Sequence, residues 1–142
     1  MAFNGSLSFA RRLFARVRLV IALLLSLPML SGCQIGAKVT MKYVDGVPVF
    51  TVTREDGGET CVQSISVREG TRDVDGQYLW ALNQNYADIQ SGKARCQSIF
   101  TYGKVTEGFE AQSAAKPLTS GKNYVVGVGG GGLTGETDFT AQ

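Results

Sequence analysis

The sequence contains no histidine, and among its 142 residues there are only three cysteines, three prolines and one tryptophan. Without an imidazole there is no Ser-His-Asp or Cys-His arrangement for nucleophilic catalysis. An enzyme would need paired carboxylates, a serine-lysine dyad or a metal, and no motif for any of these stands out. Helical periodicity is almost absent. No charge of one sign dominates either, with 14 basic against 12 acidic residues. The apolar run at 19–30, LVIALLLSLPML, has twelve residues. A permanent spanning helix needs roughly 20.

What is present begins with a leader. The first 18 residues carry Arg11, Arg12, Arg16 and Arg18 and no acid, and they run into that apolar stretch. This is the pattern of a signal peptide that is removed. The residues closing it, Leu30-Ser31-Gly32-Cys33, resemble the lipobox of bacterial lipoproteins. The resemblance implies cleavage ahead of Cys33, making residues 1–32 the leader. Cys33 then carries a diacylglycerol thioether and an amide-linked acyl chain such as palmitate. At about 0.8 kcal/mol per buried methylene, two or three such chains hold a small domain on a membrane almost permanently. Gln34 follows the cysteine, and in that family a residue other than aspartate there implies the periplasmic face of the outer membrane. The segment ARRLFAR at 10–16 is also similar to a twin-arginine signal, with Arg11, Arg12 and Phe14 in register. Its Ala10 stands where serine or threonine is usual, and the leucine-rich run suits the general secretory route better.

Removal of the leader leaves 110 residues, enough for one domain with a modest core. It also removes four arginines, leaving 10 basic and 12 acidic residues, a charge of −2 that gives no electrostatic case for nucleic acid. Besides Cys33 only Cys61 and Cys96 remain. An even pair in an oxidising compartment is expected to form a disulfide, constraining the unfolded chain by about 3 to 4 kcal/mol. With no histidine, and 35 positions between these cysteines, a metal or nucleophile reading of them is weak.

From Lys38 onward the hydrophobic period is two. Val39, Met41 and Tyr43 alternate with Lys38, Thr40 and Lys42, and Asp45-Gly46 supplies the dipeptide that a two-residue hairpin turn favours. The return strand VPVFTVT holds Pro48, which has no N–H for a ladder and is expected on an edge. CVQSISVR places Ile65 and Val67 opposite Ser64, Ser66 and Arg68. YLWALN aligns Tyr78, Trp80 and Leu82, with Trp80 the expected centre of the core. CQSIFTYG, NYVVGV and GETDFTA complete seven short strands, which read as an all-β, antiparallel β-sandwich over residues 39–142.

The stretch PLTSGKNYVVGV at 117–128 resembles the entry into strand F of fibronectin type III and related immunoglobulin-like domains, with Leu118, Gly121 and Tyr124 in place. The resemblance implies that Tyr124 forms a corner, its hydroxyl bonded to upstream backbone and its ring in the core. The cysteines depart from the immunoglobulin plan, which would put one at Val126. The bridge is therefore expected to tie strand ends, and a transthyretin-like topology stays open.

The candidate sites are loops. DVDG at 73–76 has too few oxygen ligands for a calcium loop and reads as a plain turn. GVGGGGLTG at 127–135 lacks the Lys-Ser/Thr and the helix of a phosphate cradle, and reads as a hairpin containing Gly131. NQNYADIQSGKAR at 83–95 has Asn83 and Tyr86 in a composition like that of adaptable binding loops, although Tyr86 could equally cap the core. No cofactor and no metal are expected.

These features lead to the expectation of a non-catalytic binding or assembly module of the cell envelope, anchored through Cys33 and contacting an envelope protein. The alternative is an inhibitor or immunity protein that blocks a hydrolase or toxin with one loop, and a small envelope enzyme is the third class. If Gln34–Lys38 is the tether, it spans about 17 Å at most. In a fibronectin-like arrangement the loops at 69–77 and 129–135 would then face the lipid, leaving the turn at Glu55–Gly58, with Gly57, and the stretch before Tyr124 as the accessible contact surface.

Overall fold

Strand follows strand through residues 34–72 and 76–142, which the computed structural model describes. The elements are β1 (Ile35–Val44), β2 (Val47–Arg54), β3 (Ser64–Glu69), β4 (Tyr78–Gln84), the short helix α1 (Tyr86–Gln90), β5 (Ile99–Thr101), β6 (Phe109–Ser113), β7 (Asn123–Gly130) and β8 (Leu133–Thr140). The leader, the lipidation site Cys33 and most of the DVDG turn lie outside the described residues. Among the described residues no helix is long and apolar enough to cross a membrane. Gln34–Gln142 forms one compact unit.

The fold is all-β, but not a seven-stranded antiparallel sandwich. Among the described residues eight strands form a single mixed sheet in the order β5-β2-β1-β8-β7-β3-β4-β6. Two residue patterns account for the difference. β1 starts at Ile35, ahead of the visible alternation, and its first two residues pair in parallel with Leu133 and Thr134 of β8, joining what would otherwise be two sheets. The eighth strand, β6, has the sequence FEAQS, in which Phe109 is the only buried residue. It adds to β4 as an edge strand.

Two hairpins are set by turn chemistry. Val44 pairs with Val47 across Asp45 (φ 51°) and Gly46 (φ 77°), and Gly130 pairs with Leu133 across Gly131 (φ 61°) and Gly132 (φ 80°). Positive φ at both central residues gives the turn twist that matches paired strands. Gly135 serves close packing instead, since a Cβ there would collide with the carbonyl oxygen of Ala37 where β8 passes β1.

The sheet curls around an aromatic core. Phe50 of β2 meets Trp80 of β4 at 6.4 Å between ring centroids and Phe139 of β8 at 5.5 Å. Phe100 of β5 and Phe109 of β6, from opposite ends of the strand order, make an edge contact at 5.3 Å. Trp80 is 1 % exposed and also packs edge-on against Tyr102 at 5.3 Å. Such ring pairs add about 0.5–1.5 kcal/mol each to the burial term.

Two local expectations are corrected. Tyr78 does not share the face of Trp80 and Leu82: the register slips so that Val67 opposes Trp80 and Arg68 opposes Tyr78, leaving Leu79 as the extra residue of a bulge. Leu79 and Trp80 are consequently both buried and Tyr78 is turned out. Pro48 is not on an edge strand either, since β2 lies between β5 and β1. In a strand the N and O of one residue point the same way, and Pro48 O accepts from Tyr102 N at 2.9 Å. Its missing N–H thus faces the side where β5 has already ended at Thr101.

Candidate functional site

The strand directions sort every loop to one of two ends. At the end where the chain enters β1, Ile35 N donates to Gly132 O at 2.8 Å and Glu55 N to Gly36 O at 3.0 Å. The turn after β2 and the glycine turn after β7 therefore flank the entry point. Glu55–Gly58 was expected at the opposite end. The antiparallel register of β2 on β1, with Arg54 beside Ala37, brings it back to the entry. Conversely, the loop after β3 leaves from Glu69, which pairs with Tyr124 at the far end, so it does not accompany the glycine turn.

All four sequence candidates for binding loops fall at the entry end. Gly57 sits in a turn pinned by the Arg54 fork on Asp56, with N–O distances of 2.9 and 2.5 Å. That fork, with Gly58 N–H as a further donor, holds the exposed Asp56 carboxyl down at about 2. Gly131 donates its N–H to Gln63 Oε1 at 3.0 Å. Asn83 is exposed on β4 and pairs with Ser64. Tyr86 does not cap the core: it opens α1, which Asn85 caps by accepting from Ala87 N at 2.9 Å, and it is 70 % exposed with its hydroxyl accepting from Gln90 Nε2 at 2.8 Å. A side-chain N-cap at Asn85 explains why a short helix forms inside this connection.

The Cys61–Cys96 disulfide lies at the same end, bridging the approaches to β3 and β5. Glu59 places a carboxylate close to both sulfurs. With the sulfurs bonded to each other, neither is a thiolate ligand.

The far end holds the feature that sequence reading missed, a cleft of about 260 Å³. The β1–β2 hairpin contributes Tyr43, Val47 and Pro48, the end of β5 contributes Tyr102, and the approach to β7 contributes Pro117 and Leu118. Both prolines of residues 34–142 line it. The two tyrosine hydroxyls are spent on backbone: Tyr102 donates to Lys116 O at 2.7 Å, and Tyr43 accepts from Gln142 N at 3.1 Å. Burial, with a smaller contribution from Tyr124, pushes the Tyr102 hydroxyl up to about 12. The clue available in the sequence was that Tyr43 and Tyr102 end their alternating runs beside turn glycines, where a ring is only half covered.

Beside the cleft, Tyr124 fixes the approach to β7. Its ring is 1 % exposed and its hydroxyl accepts from Thr119 N at 2.8 Å. Lys122, raised in pKa by its hydrogen bond to Glu69 at 2.6 Å, ties this approach to the end of β3. The residues lining the cleft offer ring faces and apolar edges. No protein-family model, no curated protein and no solved structure matches this chain.

Proposed function

We propose that this chain is a lipid-anchored periplasmic protein of the outer membrane, acting as a non-catalytic binding or assembly module of the cell envelope with its contact surface at the cleft end. The observation that carries the reading is the separation of entry and cleft. β1 has ten residues and runs from one to the other, which is roughly 30 Å at about 3.3 Å per residue. A lipid on Cys33 would leave only Gln34 before β1, a reach of about 7 Å from Cys33 to Ile35. The entry end, with Gly57, Gly131, Asn83 and Tyr86, is then held against the bilayer and the cleft points away from it.

Kinship with fibronectin type III domains belongs to the same proposal. It is supported by the grouping of β5-β2-β1 beside β8-β7-β3-β4 and by the Tyr124 hydroxyl contact to upstream backbone.

The anchor is tested by metabolic labelling with a palmitate analogue. The wild-type chain takes up label and fractionates with the outer membrane, and Cys33→Ser does neither. An unlabelled wild-type chain overturns the anchor. The inhibitor reading is favoured by one observation, the exposed Tyr86 ring at the start of α1. It requires a partner that reaches the membrane-facing end.

A further inference from the structure

We propose that the cleft is a docking site for an extended acidic peptide segment of a protein partner, anchored by one or two proline or aromatic side chains. The inference deepens the binding-module reading and rests on it. Size speaks first. At about 260 Å³ the cleft is smaller than the roughly 300–1,000 Å³ of sites that enclose a drug-sized molecule. It takes side chains from a longer chain that continues across its rim. Lining speaks second. Tyr43, Tyr102, Pro48, Pro117 and Leu118 make a rigid apolar surface of rings, the kind of groove on which a preformed extended proline-containing segment docks at low entropic cost. A sugar would need several free hydrogen-bonding side chains, and here both tyrosine hydroxyls are already bonded to backbone.

Charge selects the sign of the occupant. Lys104 lies two residues after Tyr102 and Lys116 precedes Pro117, whereas Lys42 lies on the face of β1 opposite Tyr43 and points away from the cleft. Lys104 and Lys116 are exposed, and among the described residues neither enters an ion pair. The tight turn at Gly103 runs alongside Ala115, which sets Lys104 and Lys116 on the same side of the rim. Glu69 pairs with Lys122 and Asp138 with Arg72, so among the described residues Asp45, beside Gly46 on the hairpin side, is the acid next to the cleft that enters no ion pair. Exposed cations on the Tyr102 and Pro117 side of an apolar cleft steer a segment that brings a carboxylate to that side and disfavour a basic one.

The test uses the purified full chain, immobilised and panned against a displayed library of random twelve-residue peptides. The expected result is enrichment of sequences with a proline- or aromatic-containing centre and flanking aspartate or glutamate. Synthetic copies of the enriched peptides then lose at least tenfold in affinity on Val47→Asp. The paired change Lys104→Glu with Lys116→Glu weakens them about five- to tenfold at low salt, by a margin that shrinks as salt is raised. The lysine pair lies on the surface and keeps the test decisive if Val47→Asp does not fold. No enrichment over a blank support, enrichment of basic peptides, or unchanged affinity in both variants overturns the proposal. Binding to a glycan array that Val47→Asp abolishes, without peptide enrichment, assigns the cleft to carbohydrate and overturns it too. Peptide binding does not depend on lipid, so its failure leaves the palmitate-labelling result standing.

Discussion

Replacing both bridge cysteines, Cys61→Ala with Cys96→Ala, isolates the cross-link from the packing around it. Cys96 is exposed and Cys61 only half-buried, so alanine leaves little cavity. The two backbones also stay linked by the bond from Val62 N to Gln97 O at 3.2 Å. What is lost is the constraint on the unfolded chain across a separation of 35 residues. The chain-entropy relation gives about 4 kcal/mol for a loop of that length. With a urea m-value of about 2 kcal/mol per molar, the unfolding midpoint falls by about 2 M. Equilibrium urea unfolding followed by tryptophan fluorescence measures it, because Trp80 is the sole tryptophan and is buried in the core. A midpoint lowered by less than about 0.5 M, at unchanged m, would refute the reasoning by showing that the native contacts at this end already hold the loop closed in the unfolded state.

Tyr124→Phe removes the acceptor for Thr119 N–H while keeping the buried ring, and is expected to cost about 1 kcal/mol in the same unfolding assay. Gly135→Ala drives a methyl into the Ala37 carbonyl and should cost about 2 kcal/mol, with the loss of protection in amide exchange concentrated where β1 passes β8. The Asp56 carboxyl, lowered chiefly by the Arg54 hydrogen bond, should titrate by NMR near 2, and Arg54→Ala should return it toward 3.8. Because its folded pKa is depressed, whatever this fork contributes to stability is complete above the ordinary carboxylate range and is lost as pH falls through about 2.

The strands were legible where one face is buried and the other wet. Val39, Met41 and Tyr43 in β1, or Ile65 and Val67 in β3, carry their period openly. Asp45-Gly46 also named its own turn, because few other dipeptides tolerate two positive φ angles. β6 was hidden because Glu110, Ala111 and Gln112 all face solvent, leaving one buried residue and no period to read. The bulge at Leu79 was hidden for a related reason: one inserted residue flips Tyr78 while every residue nearby still looks apolar. The sequence candidates Gly57, Gly131, Asn83 and Tyr86 share one end through strand direction, which composition does not encode. The cleft is assembled from segments that meet only in the fold, Tyr43 with Pro117 and Tyr102 with Pro48. Only Pro117 and Leu118 belong to a motif visible in the linear chain, the approach to Tyr124, and nothing in that motif points to Tyr43, Pro48 or Tyr102.

The central claim, an anchored module that works through the end remote from its lipid, is tested most directly by paired photo-crosslinking in living cells. A benzoylphenylalanine is placed at Val47 in one variant and at Tyr86 in another, both with Cys33 intact. The account predicts a discrete protein adduct from the Val47 position, and from Tyr86 only lipid-associated or uncrosslinked material. A discrete protein adduct from Tyr86 with none from Val47, in chains that fold and label with palmitate, would contradict it.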